Sequence, residues 1–257
     1  MVTIRIYNAE SPPFEATCIK KNFGAANGVS FDPKKEEFSI LHPHFGSGPT
    51  FRLLGPLIDA KLTMHDSVDK TLSKARPKLK ALLRTIHMYS TKTLVNQYKT
   101  HIQPIVESTT SAIYHAATST LEPLDRLYTT FIHAINLTPH DAFIHHNFAP
   151  PQLRRDIAML GLLHKITLHK CHEDFHALFP AAEQTRHDHR TRLSSSRHNR
   201  QLHEHCDGTH TDLTGRSLLA LATIYNLLPQ HVVDAKTTTT FQTHLTNAAR
   251  HAMSTTA

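Results

Sequence analysis

The sequence predicts an α+β fold that is mainly helical, with a small β-hairpin at the N-terminal side, a thumb-like helical bundle after it, and further helices at the end. Three observations predict this. The chain has only 8 Gly against 14 Pro, a balance that suits helices with punctuated connections and not a glycine-turned barrel. Near Met64 the apolar period changes from alternation to three-and-four spacing. From there, successive apolar stripes are each closed by a proline or a polar break.

Taken in order, Val2, Ile4 and Ile6 alternate with polar residues and predict a short strand before Ser11-Pro12-Pro13. Phe38–Leu41 and Phe51–Leu54 are two further strand candidates. The turn-rich His42–Pro49 between them predicts a hairpin with a long loop. Leu72, Ala75, Leu79, Leu82, Leu83 and Ile86 then mark a helix, with a break or restart expected at Pro77. Leu94, Val95, Tyr98 and Ile102 form the next stripe, ended by Pro104. A third helix, with Leu124, Tyr128, Phe131, Ile132 and Ile135, is expected to open on a capping box from Ser119 to Glu122. A fourth follows Pro151, with Leu153, Ile157, Leu160, Leu163 and Ile166. Residues 183–214 are polar and rich in Arg and His, which predicts an exposed linker. Leu218, Leu221, Ala222 and Tyr225, then Phe241 and Leu245, mark a separate C-terminal helical pair. The expected divisions are 1–62, 63–182, 183–214 and 215–257.

The 28 Lys and Arg exceed the 21 Asp and Glu by seven, which favours polyanionic partners. That whole excess sits between Lys61 and Lys99. Nine basic residues there (Lys61, Lys70, Lys74, Arg76, Lys78, Lys80, Arg84, Lys92 and Lys99) meet only Asp66 and Asp69. Lys74, Lys78 and Lys80 fall off the leucine stripe, so one face is apolar and another cationic. Such a face can neutralise phosphates and release counterions, or it can be an ordinary solvated surface. Three widely spaced cysteines, Cys18, Cys171 and Cys206, make no disulfide framework. No apolar run approaches the ~18 residues of a membrane span, and Met1–Glu10 lacks a secretory pattern. The expected setting is soluble and intracellular, nuclear or cytoplasmic and not secreted.

Two stretches, Gly24–Glu36 (GAANGVSFDPKKE) and Phe51–Asp59 (FRLLGPLID), resemble the end of the palm of a reverse transcriptase of the non-LTR (LINE-like) retrotransposon type. The first is similar to motif D, where a lysine follows an Asn/Asp-Pro turn, and Lys35 is the match. The second is similar to the primer grip, a hairpin that includes Leu54 and Gly55 here. Leu82-Leu83-Arg84 and Tyr98-Lys99 resemble the helical thumb. Arg154–Lys165 and Tyr225–Pro229 resemble recurring features of the family's C-terminal regions. The segments keep the family's order from about Ala16 to about Leu245. The resemblance implies contact with RNA or an RNA/DNA primer–template, weak and sequence-tolerant, through Lys35, Leu54, Gly55, Lys70, Lys74, Lys78, Lys80, Arg84, Lys92 and Lys99.

Members of that family polymerise with Mg²⁺ held by palm carboxylates, including an Asp-Asp pair upstream of motif D. No adjacent Asp-Asp pair occurs in the 257 residues. The expectation is therefore a catalytically incomplete reverse-transcriptase remnant, with no catalytic residue, no cofactor and residual nucleic-acid affinity. The first alternative is a protein-interaction or functionless remnant. A third reading is a zinc hydrolase, because His172-Glu173-Asp174-Phe175-His176 matches H-E-x-x-H, with His172 and His176 as ligands and Glu173 as general base. Among 23 histidines chance matches are common, and Asp174 puts a charge where such helices are apolar. His203, His205, Cys206 and His210 lack zinc-finger spacing, and Ser194-Ser195-Ser196 lacks a nucleophile elbow.

Overall fold

The computed structural model describes Ala26, Gly28 and residues 39–53, 55–182, 198–204 and 213–255. The strand expected over Val2–Ile6 lies outside them. The fold is mainly helical, with a small two-stranded antiparallel sheet at the N-terminal side followed by helices. The chain separates into two compact units, residues 1–67 and 68–257.

In the first unit, strand β1 (Phe51–Arg52) pairs with β2 (Leu57–Ile58) in the register Phe51 to Ile58 and Arg52 to Leu57. The small N-terminal hairpin is present, inside the Phe51–Asp59 stretch, but the pairing of Phe51–Leu54 with Phe38–Leu41 is corrected. The partner of β1 is the segment after it, while Ile40 bridges to Ser47 inside the preceding loop. Closing a short loop costs less chain entropy than closing the His42–Pro49 connection. Gly55, at φ +130°, supplies backbone that L side chains rarely adopt, which makes the tight reversal possible. Gly46 is needed for another reason, since a Cβ there would collide with the Ala60 and His42 carbonyls. The Asp59 carboxylate accepts from the backbone N–H of Thr63 and Met64 at 2.9 and 2.7 Å. Burial raises its pKa, but these hydrogen bonds outweigh burial and hold the carboxyl below its ordinary value.

Helix α1 (His65–Leu83) runs through Pro77 without the expected break. Pro77 cannot donate to the Ser73 carbonyl, but both residues are exposed, so water can take up the freed acceptor. Buried Val68, Leu72, Ala75 and Leu79 hold the two halves on one stripe. After a 3₁₀ turn at Ile86–Met88, α2 (Thr91–His101) is capped by the Ser90 hydroxyl. The chain then reverses at Pro104 through α3 (Gln103–Glu107) and α4 (Thr110–Ile113).

Helix α5 (Thr118–Ala134) is capped at Ala117, two residues before the expected Ser119, and no capping box forms. Glu122 instead pairs with Arg126 one turn on, at 2.7 Å. Helix α6 (Pro139–His146) ends on Asn147 in the left-handed region, with Phe148 N–H donating back to the Ala142 carbonyl. That turn drives Phe148 between α2 and α5. Its ring centroid lies 5.1 Å from Tyr98, 4.8 Å from Tyr128 and 6.1 Å from Phe131. The Tyr128 hydroxyl donates to the Phe148 carbonyl at 3.1 Å, satisfying a polar group inside the cluster.

Helix α7 (Pro151–Thr167) carries the second core. Its Ile157, Met159, Leu160, Leu163 and Ile166 cluster with residues from α9 (Leu221–Asn226), α10 (Gln230–Val233) and α11 (Thr238–Thr255). The C-terminal helices are therefore not a separate pair. They belong with α7 in the second unit.

The expected linker is also corrected in part. Leu202 is buried and its backbone bridges to Ala181. Asn226 fastens the segment further, because its amide accepts from Leu202 N–H and donates to the Leu202 carbonyl, both at 2.8 Å. A polar composition hid the few side chains that do the packing.

Two histidines are fully enclosed in this core. His164 stacks on Phe241 at 4.1 Å between centroids, and its Nε2–H donates to the Ala235 carbonyl at 2.8 Å. His198 donates from Nε2 to the Tyr225 carbonyl at 2.9 Å. Burial lowers both pKa values, and the hydrogen bonds to the two carbonyls only partly oppose it. Both groups are depressed in the folded state, so their contribution to stability is complete above the ordinary histidine pKa near 6.5 and is lost as the pH falls through the folded values. Urea melts between pH 8 and pH 5 should show stability falling on acidification, by at most about 1.4 kcal/mol per pH unit for each histidine. Equal stability at the two ends would contradict this burial.

Candidate nucleic-acid interface

Helix periodicity arranges the cations of α1. At 100° per residue, the buried Val68, Leu72, Ala75 and Leu79 fall on one face. Lys70, Lys74 and Lys78 recur at i, i+4 along one flank of the opposite face, and Arg76 and Lys80 along the other, with Arg84 in the turn that follows α1. Ser73 and Pro77 lie in the furrow between the rows. No acidic residue occurs from Lys70 to Arg84. Lys74, Arg76, Lys78, Lys80 and Arg84 are exposed, and among the described residues none is held in an ion pair. The surface is a two-row positive field about 20 Å long, given a rise of about 1.5 Å per residue.

The other expected contacts fall elsewhere. Lys92 is exposed on the first turn of α2. Lys99 is turned into the bundle, where its ammonium donates to the His146 carbonyl at 2.7 Å and lies 5.9 Å from the Phe148 ring centroid. Burial and then the neighbouring Arg154 and Arg250 guanidiniums hold its pKa below the ordinary lysine value. Lys99 thus satisfies the His146 carbonyl at the end of α6 and is turned away from the cationic face of α1. Gly55 forms the β1–β2 turn in the first unit. Lys35 and Leu54 lie outside the described residues.

Sequence reasoning missed the surroundings of the α1 end. Lys78, Ala81, Leu82 and Thr85 from α1 and its exit, with Tyr89, Gln97, His101 and Ile102, line an open cleft of about 440 Å³. Tyr89 is exposed there, between two apolar stripes that the sequence pattern treats as independent.

The H-E-x-x-H segment does not form a two-histidine helix face. His172 precedes α8 (Glu173–Leu178) as its cap, in extended backbone, with Nδ1 accepting from Asp174 N–H at 3.4 Å. The acids Glu173 and Asp174 favour the positive end of a helix, which starts the helix one residue too late for the motif. His176 stacks against His169 at 4.7 Å. Among the described residues, no three His, Cys, Asp or Glu side chains converge as a metal site. Of the further histidine cluster, His205, Cys206 and His210 lie outside the described residues, as do Ser194, Ser195 and Ser196.

The first of the resemblant C-terminal segments, Arg154–Lys165, forms half-buried polar contacts. Arg155 forks onto Asp125, and Arg154 pairs with Glu107 at 2.8 Å. The Tyr114 hydroxyl donates to Asp156 at 2.7 Å. Among the described residues, no helix is long and apolar enough to cross a membrane. Comparison with known protein families, curated proteins and solved structures finds no match to this chain.

Proposed function

We propose that this chain is a reverse-transcriptase-like remnant that holds RNA or a primer–template duplex weakly and without sequence preference, and that it carries out no DNA synthesis itself. The observation that carries the reading is the cationic face of α1 and its exit, where Lys74, Arg76, Lys78, Lys80 and Arg84 are exposed and no acid occurs between Lys70 and Arg84. The reverse-transcriptase part rests on the order of the motif-like segments in the sequence. Without side chains aimed at base edges, such a face positions a phosphate backbone and reads no sequence.

A salt titration of binding tests this. For roughly four to six phosphate contacts, log K against log salt should have a slope of about −3 to −5, and scrambled oligonucleotides of equal length should bind alike. No binding at low salt would leave α1 as an ordinary solvated helix. The catalytic part has its own test: a primed RNA template with Mg²⁺ and dNTPs should show no extension above background. Extension by the pure protein would overturn it, because two-metal chemistry needs carboxylates that the resemblance does not supply here.

A further inference from the structure

We propose that the cleft at the C-terminal end of α1 is a subsite for one unpaired nucleotide of a single-stranded nucleic acid, with its base stacked on Tyr89. This rests on the nucleic-acid reading above and adds to it a preference for unpaired strands. The cleft, about 440 Å³, lies within the range of roughly 300–1,000 Å³ typical of small-ligand sites. Lys78 belongs both to its wall and to the Lys70–Lys74–Lys78 row, so a phosphate backbone running along that row is delivered to its mouth. Charge complementarity thus identifies the occupant as a polyanion. The remaining lining then identifies what enters: an exposed aromatic ring, apolar Ala81, Leu82 and Ile102, and hydrogen-bonding Thr85, Gln97 and His101. A phosphate alone has no use for an apolar wall, and an apolar ligand has no use for the lysine row. A base on a sugar-phosphate uses both. Aromatic stacking is indifferent to base identity because every base has a π-face. A duplex keeps its bases paired and stacked, so it can use the row but not the cleft.

The experiment measures binding of the full chain to labelled 12-nucleotide probes: oligo-dT, an abasic strand of the same length, and a blunt duplex. Oligo-dT should bind about five- to fiftyfold more tightly than the abasic strand. Tyr89→Ala should abolish that advantage while leaving the salt slope of either probe unchanged, and Tyr89→Phe should keep it. Tyr89 is half exposed, so both variants should melt with the parent, which a thermal scan verifies. If Tyr89→Ala keeps the advantage, or if oligo-dT and the abasic strand bind equally with a steep salt slope, the subsite is wrong and the cationic face stands. If no probe binds at low salt, the nucleic-acid reading fails and takes the subsite with it.

Discussion

Charge reversal of Lys74, Lys78 and Lys80 to Glu should reduce RNA affinity at low salt by at least about a hundredfold and flatten the slope of log K against log salt toward zero. The three positions sit on both rows of α1, and each substitution replaces an attraction with a repulsion at a side chain that, among the described residues, is held in no ion pair. All three side chains are exposed, so folding stability should change by no more than about 1 kcal/mol. Circular dichroism and a melt on the same sample separate lost binding from lost structure. Lys99→Gln is the internal control. Its ammonium is already engaged by the His146 carbonyl, so removing it should cost stability and leave the salt slope alone. A folded triple variant with parental affinity and slope would remove α1 as the interface.

The second large effect concerns stability. Arg155→Ala should destabilise the chain by about 2–4 kcal/mol, less than for a fully buried ion pair because the Asp125 side chain is 31% exposed and partly screened by water. The Arg155 side chain is 5% exposed, and its Nη1 and Nη2 donate to the two Asp125 oxygens at 2.7 and 2.8 Å. Nη2 also donates to the Gln152 Oε1 at 2.8 Å. Truncation leaves Asp125 without its partner and opens space between α5 and α7. For a unit of this size the midpoint should fall by roughly 4–16 °C. Arg155→Lys should fall between parent and alanine variant, since an ammonium cannot reproduce the fork. A melting point within about 2 °C of the parent for Arg155→Ala would show that the pair contributes little.

The helices were legible because their burial depends on local periodicity. Leu72, Leu94, Phe131, Leu163 and Phe241 are buried where three-and-four spacing puts them. What failed depends on partners distant in the chain or on single backbone angles. The pairing of β1 with β2 goes with a positive φ at Gly55, a backbone angle that hydrophobic alternation does not report. Pro77 is tolerated because the face it interrupts meets water, which periodicity alone does not weigh. His164 and His198 are two of 23 histidines, and nothing local sets them apart from the exposed ones. Lys99 follows directly on the buried Tyr98 and reads as one more cation of a basic stretch. Its direction into the bundle is set by the α6 terminus, 47 residues away. Lys74, Lys78 and Lys80 were placed correctly by the same periodicity that placed the leucines opposite them.

The long sequence reach of the second core has a consequence for the chain as it is made. The apolar side of α7 is covered by Leu202, Leu221, Tyr225, Val233, Phe241 and Leu245, and 79 residues separate Ile166 from Leu245. The aromatic cluster of Tyr98, Tyr128, Phe131 and Phe148, by contrast, is complete before α7 begins. At about 5–20 residues per second, a ribosome needs roughly 4–16 s to supply the cover for α7. Through that interval the nascent chain carries the aromatic residues of the first core and a helix whose leucine-rich side still lacks its C-terminal cover. Translation speed downstream of Thr167 therefore sets how long this chain presents a surface for chaperones or for a neighbouring nascent copy.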